Sequence, residues 1–250
     1  MNDQAKTTSR LRPEHKVGRG LGRWILNDFP AHFVDLFRSH RKALVLVSVA
    51  MAAFLGLATT AIVNEGSLLR FDVAVEQALM SVRTGWLNTA MVWLTFLGTR
   101  YAIGAATLGL VVWSLVNKRH RTFVMVLAVA VLLNPLFEVG FKELVDRVRP
   151  SLDQLVPGNG PSFPSGHVLA SVGFYGLVPF LTWETTRNAW ARLLAVIGSF
   201  LVIVAVTISR PYLDVHWATD ATAGVLLGTV LVVGTYHAFL RFQRAAQRVR

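Results

Sequence analysis

The chain has 250 residues, 53% hydrophobic and only 16% charged, with 25 Lys+Arg against 14 Asp+Glu for a net charge of +11. Soluble domains carry about 25% charged residues; here the apolar residues lie in long, nearly uncharged blocks, which excludes intrinsic disorder and argues against an ordinary soluble enzyme. With no cysteine, disulfides, cysteine-zinc sites and thiol catalysis are excluded.

Residues 1–20 are polar and basic with no apolar core, so no cleavable signal peptide is expected there. Residues 21–37 place Trp24, Ile25, Phe29, Phe33, Leu36 and Phe37 on an apolar face broken at Pro30, the pattern of a helix lying in a membrane interface. A membrane-crossing helix needs about 20 mostly apolar residues. Residues 43–63 meet that without a charge, and further spans are read at 101–116, 122–140, 167–183, 193–208 and 218–240. The stretch 86–98 is too short to cross alone and is expected to pack at the interface or extend the second span. Residues 71–82 read as a second amphipathic segment, with Phe71, Val73, Val75, Leu79 and Met80 opposite Asp72, Glu76 and Gln77. Asn134-Pro135 predicts a kink in its span. The expected fold is an all-α, six-transmembrane-helix bundle with interfacial helices. Its divisions are a basic N-terminal segment (1–42), a membrane domain (43–240) and a basic tail (241–250).

Six spans put both termini on one side. That side collects 18 of the 25 basic residues, so by the positive-inside rule it is cytoplasmic. Topology thus accounts for the excess charge, and a nucleic-acid partner loses its motivation. The seven basic residues left on the outer side are Arg70, Arg83, Arg100, Lys142, Arg147, Arg149 and Arg210.

Three polar clusters gather on that outer side. The first, KELVDRVRP, sets Lys142 and Arg149 seven apart, two turns of one helical face if the span continues, with Pro150 ending it. The second, Phe163 to His167, reads FPSGH and opens a span, with Ser165 as its cap and the helix amides as an anion site. The third, SRPYLDVHWATD, sets His216 and Asp220 four apart, on one helical face. Each has a plain reading alone: interfacial anchors paired with Asp146, a capped turn, a structural hydrogen bond. Together they converge two histidines, three cations and a carboxylate, which suits a phosphate: Arg binds it as a planar fork, Lys as a point charge. A carboxylate-oriented histidine is a nucleophile or base arrangement, and a second histidine supplies a proton. A metal site from His167, His216, Asp220 and Asp214 is opposed by the neighbouring cations, and no metal is expected.

These residues complete a known signature. Lys142, six residues, Arg149-Pro150; Pro164-Ser165-Gly166-His167; and Ser209-Arg210, five residues, His216, three residues, Asp220 resemble the three motifs of the type 2 phosphatidic acid phosphatase superfamily. The resemblance covers roughly residues 71–240. It implies a metal-independent, cofactor-free membrane lipid phosphatase. By it, His216 attacks phosphorus and becomes a phosphohistidine, Asp220 orients and activates it, and His167 protonates the leaving oxygen. Lys142, Arg149, Ser165, the Gly166 amide and Arg210 hold the phosphoryl oxygens. The implied substrate is a lipid phosphate at the outer leaflet of a bacterial plasma membrane. Undecaprenyl or another polyprenyl diphosphate is favoured; phosphatidylglycerol phosphate, phosphatidic acid and lipid A phosphate are alternatives. A lipid-to-lipid phosphotransferase would share the intermediate. A haloperoxidase with a similar anion pocket is opposed by the spans, and a transporter by their lack of charge. Two residues stand outside the pattern: Glu138, one turn before Lys142 and expected to pair with it, and Asp214, expected to pair with Arg210. The sequence carries no sign of oligomeric state.

Overall fold

The computed structural model describes residues 22, 24–118 and 120–248; the basic stretch 1–20 lies outside them. The described secondary structure is helical throughout. A π-helical turn (Trp24–Asp28) leads into α1 (Phe29–Arg38), followed by α2 (His40–Val63), α3 (Glu65–Ser81), α4 (Gly85–Phe96) and α5 (Arg100–Asn117). Then come α6 (Arg121–Val145), α7 (Gly166–Tyr175), α8 (Val178–Thr185), α9 (Ala189–Tyr212) and α10 (Ala218–Arg248). Helices α2, α6, α9, α10 and the α7–α8 pair are long and apolar enough to cross a membrane; α4 and α5 reach that length only as a pair, bent by 44°. The segment 86–98 is therefore a helix of its own leading into the second span. The span read at 167–183 is likewise two helices, separated at Gly176–Leu177.

Helix α7 sits at the centre and is mostly buried, whereas α2, α6 and α9 turn broad apolar faces outward, as lipid-facing helices must. It packs tightly on α10 because Gly224 and Gly228 let the backbones meet: a Cβ on Gly224 would lie 2.9 Å from the Ser165 carbonyl, and one on Gly228 2.6 Å from the Val172 side chain. Small residues four apart commonly bring membrane helices this close. Asn134 in α6 donates to the Leu169 carbonyl of α7, and α6 remains one helix through Pro135. Helix α1 is less peripheral than its pattern suggests. Trp24, Ile25, Phe29 and Leu36 are exposed, but Val34 is buried, and Phe33 stacks on Phe180 of the main core while Phe37 meets it edge-on.

Helix α3 reverses the expected sense of its faces. Asp72 and Glu76 are buried and Phe71 is exposed. The polar face looks into the protein, where it meets the cations of the functional site.

Candidate active site

Helix α6 ends at Val145, and Asp146 takes a left-handed conformation (φ 45°) that turns the chain away. Lys142 is thus on the helix, and Arg149 is not; it reaches the site from the following loop. Its Nε donates to the Gly160 carbonyl at 2.8 Å and Nη2 to the Asn159 carbonyl at 2.9 Å, while Nη1 lies 3.0 Å from His216 Nε2 and also bonds the Val215 carbonyl. A loop arginine held by so many carbonyls is a fixed cation rather than a free anchor.

Ser165 occupies the N-cap of α7, as the motif predicts, but its hydroxyl does not cap the helix: it is buried without a partner. The adjacent Gly166 packs against the Glu138 carboxylate, which occupies the space a Cβ there would fill. Glu138 Oε1 lies 2.7 Å from Lys142 Nζ, confirming the expected pairing. Lys142, Glu138, Gly166, His167 and Arg100 line one cavity of about 430 Å³, walled by Ile103, Leu132, Pro135 and Val139 from α5 and α6.

His216 lies in the turn ahead of α10, not on it. The four-residue spacing survives because Asp220, in the first turn of α10, reaches back: its Oδ2 accepts from the Trp217 amide at 2.9 Å. His216 Nδ1 donates to the Ser162 carbonyl at 2.8 Å, with Asp220 Oδ2 farther away at 3.7 Å. This bond assigns the proton to Nδ1 and leaves the Nε2 lone pair facing Arg149. Burial holds the imidazole well below its usual pKa, and the charges of Arg210, Arg149 and Lys142 push the same way. Both effects favour the neutral ring.

Asp220 is fully buried and bound on every side, by Ser162 Oγ, the Trp217 amide and Arg147 Nη1 at 2.7 Å. Arg147, which the motifs pass over, is the hub of a buried network. Its Nη1 also donates to Thr219 Oγ1 at 2.7 Å and its Nη2 to Asp72 Oδ2 at 2.8 Å, with Glu65 at 3.5 Å. Asp72 also accepts from the Thr219 amide. Nearby carboxylates raise the Arg147 pKa against the lowering effect of burial.

Arg210 is buried. Its Nη1 donates to Thr95 Oγ1 at 2.7 Å, its Nε has no partner, and it forms no ion pair among the described residues. The expected pairing with Asp214 is not formed. Asp214 instead accepts from the Asp153 amide at 2.6 Å, and its Oδ1 is buried and unbonded beside Glu76. Among the described residues no group of three or more His, Asp or Glu side chains is placed to hold a metal ion, so His167, His216, Asp214 and Asp220 do not form one.

Glu76 shows what burial does to the inward face of α3. Burial foremost, with the negative charge of Asp214 beside it, raises its pKa to about 8. The folded protein therefore keeps a proton that the unfolded chain releases near the ordinary carboxyl value of 4.5, so stability falls as pH rises from about 4.5 to about 8. Glu76→Gln, a neutral isostere, is expected to melt higher than wild type at alkaline pH in detergent, with the gap closing towards the acid end of that window. Equal melting curves across this range would show that Glu76 carries no shifted proton.

The described residues form an all-helical bundle with helices apolar enough to cross a membrane and gather Lys142, Arg149 and Arg210 beside His167 and His216. The chain matches the PAP2 superfamily over residues 123–244. Phosphatidylglycerophosphatase B of Bacillus subtilis is 29% identical over 177 residues, covering 70% of this chain and 86% of that protein. An undecaprenyl-diphosphatase of Sulfolobus acidocaldarius is 29% identical over 161 residues, covering 64% of this chain and 74% of its own. A crystal structure of a transmembrane PAP2-type phosphatidylglycerolphosphate phosphatase from Bacillus subtilis superposes with a TM-score of 0.72 at 26% identity, covering 82% of this chain and 98% of the other. The fold expectation is met: the chain is an integral membrane protein of this all-helical type.

Proposed function

We propose that this membrane lipid phosphatase hydrolyses a polyprenyl diphosphate, with undecaprenyl diphosphate as the favoured substrate, through a phosphohistidine on His216 and without a metal ion. The observation that carries the reading is a neutral, oriented imidazole near a buried cation, Arg210, that forms no ion pair among the described residues. A burial this costly is offset once an anion arrives. In this reading Nε2 attacks phosphorus while Arg149, Arg210, Lys142, the Ser165 hydroxyl and the Gly166 amide hold the equatorial oxygens, spreading the transition-state charge. His167 protonates the departing oxygen, and water then cleaves the phosphohistidine. Asp220 acts at one remove: it holds Ser162, whose carbonyl orients His216, and its charge at 3.7 Å favours the imidazolium that phosphorylation creates. The lipid chain leaves along the cavity between α5 and α6.

Phosphatidylglycerol phosphate is the second reading, supported by the two similarities to Bacillus subtilis proteins named for that activity. The basic excess at the termini supports a cytoplasmic location for both ends, with the site facing outward from a bacterial plasma membrane.

The deciding experiment is phosphate release from undecaprenyl diphosphate, phosphatidylglycerol phosphate and phosphatidic acid in detergent, with and without a strong chelator, and with an added acceptor lipid. Undecaprenyl diphosphate is expected to be turned over fastest, at a rate the chelator leaves unchanged. A strict requirement for divalent metal would overturn the mechanism. Transfer to the acceptor in place of phosphate release would make the protein a phosphotransferase.

A further inference from the structure

The cavity that opens beside His167 contains one acid. Arg100 and Lys142 are the cations among its lining residues, and Glu138 is the single carboxylate. The three motifs do not call for Glu138, and a carboxylate on a membrane-spanning helix is costly to keep. Its position is specific. Oε1 lies 2.7 Å from Lys142 Nζ, and the carboxylate fills the space that a Cβ on Gly166 would need. Gly166 is the first residue of α7, where the helix amides favour a negative charge. The charge of Glu138 also acts on Arg149 and Arg210.

These are not the surroundings of a simple helix brace. An exposed pair four residues apart serves its own helix. Here both side chains are mostly buried, 18% exposed for Lys142 and 28% for Glu138, and the carboxylate leaves α6 to rest on α7. Of the five groups assigned to the phosphoryl oxygens, Lys142 and Gly166 touch this carboxylate and Arg149 and Arg210 feel its charge. A phosphate arriving among them meets a like charge, and at a few ångströms in a site of low dielectric that repulsion is strong. The carboxylate has room to give way. It lines a cavity of about 430 Å³, and Arg100 on the same lining forms no ion pair among the described residues.

We infer that Glu138 is a built-in stand-in for the phosphate: it fills part of the empty anion site and neutralises Lys142, substrate displaces it, and it returns as inorganic phosphate leaves. The inference rests on the phosphatase reading for the identity of the anion. It makes Glu138 a determinant of affinity that weakens the hold on substrate and product alike, so that a site with three cations does not retain its product.

The test compares wild type, Glu138→Gln and Glu138→Asp as full chains in uncharged detergent. Binding of inorganic phosphate and of orthovanadate is followed by thermal unfolding, and orthovanadate is also titrated as a competitive inhibitor of lipid phosphate hydrolysis. Glu138→Gln keeps the shape and removes the charge, and it is expected to bind both anions about tenfold more tightly or better. The carboxylate opposes ground state and transition state alike, so KM for the lipid falls and kcat does not rise. Glu138→Asp keeps the charge but draws it back by one methylene. Its affinities are expected to fall between the other two, and it carries the test should the glutamine variant not fold. Unchanged anion affinity in the folded variants would overturn the inference. Weaker affinity would overturn it too and make Glu138 a support for Lys142. Anion binding that tightens as stated in a protein that hydrolyses no lipid phosphate would overturn the substrate reading and uphold the stand-in. No anion response in any of the three proteins would overturn both.

Discussion

Replacing His216 by alanine is expected to lower kcat by about 10⁴-fold or more, the loss typical of removing a covalent nucleophile. The expectation rests on geometry. Nδ1 is bonded to the Ser162 carbonyl and Nε2 faces the cations, so no second group stands ready to attack from the same direction. A phosphoenzyme trapped by rapid quench under alkaline conditions should be present in wild type and absent from His216→Ala. His167→Ala separates the two histidines. If His167 supplies the leaving-group proton, its loss should be severe for substrates with basic leaving oxygens and mild for an aryl phosphate, whose leaving group departs without a proton. Full turnover by His216→Ala would remove the proposed nucleophile. An equal loss for both leaving groups in His167→Ala would remove the acid.

The second large effect is on stability. Arg147→Met should destabilise the protein by about 3–5 kcal/mol, the usual range when one partner of a buried ion pair is removed. Asp72 and Asp220 are both fully buried, and without the guanidinium each keeps only neutral or backbone donors. Arg147→Lys should fall between, because an ammonium carries the charge but cannot present two parallel donors to two carboxylates. Thermal unfolding in detergent measures both. Activity should drop with the fold, since the same carboxylate, Asp220, carries the Ser162 contact. A melting temperature unchanged in Arg147→Met would mean the network contributes nothing to stability.

Much of the site could be read from spacing because its donors sit on short local segments: Pro164 to His167 at a helix start, Arg210 to Asp220 around one turn. Spacing also misled where two local structures share it. His216 and Asp220 look like helix neighbours, yet the interval of four arises because a cap residue reaches back across a turn. Arg149 looks like a continuation of α6, but a left-handed Asp146 intervenes, and no pattern of apolar residues announces that.

The groups that hold the site in shape were hidden for another reason. Periodicity shows which residues share a face; it does not show whether the face meets water, lipid or protein. Asp72 and Glu76 on α3 therefore read as a wetted face, and Arg147 as a surplus surface cation, until the fold placed them together. Thr95 and Ser162 carried no signal at all, being common residues whose importance comes only from the cation or carboxylate beside them.

This arrangement constrains the order in which the protein can be built. The three motifs lie within residues 142–220, yet Asp72 and Thr95, which receive Arg147 and Arg210, belong to the first half of the chain. During synthesis the acceptors emerge first, and their cations follow 75 and 115 residues later. A fragment starting after Asn117 would keep every motif residue and lose both acceptors, leaving one guanidinium without Asp72 and the other without Thr95. Holding the motifs is therefore not the same as holding the network that fixes them, which extends back to α3.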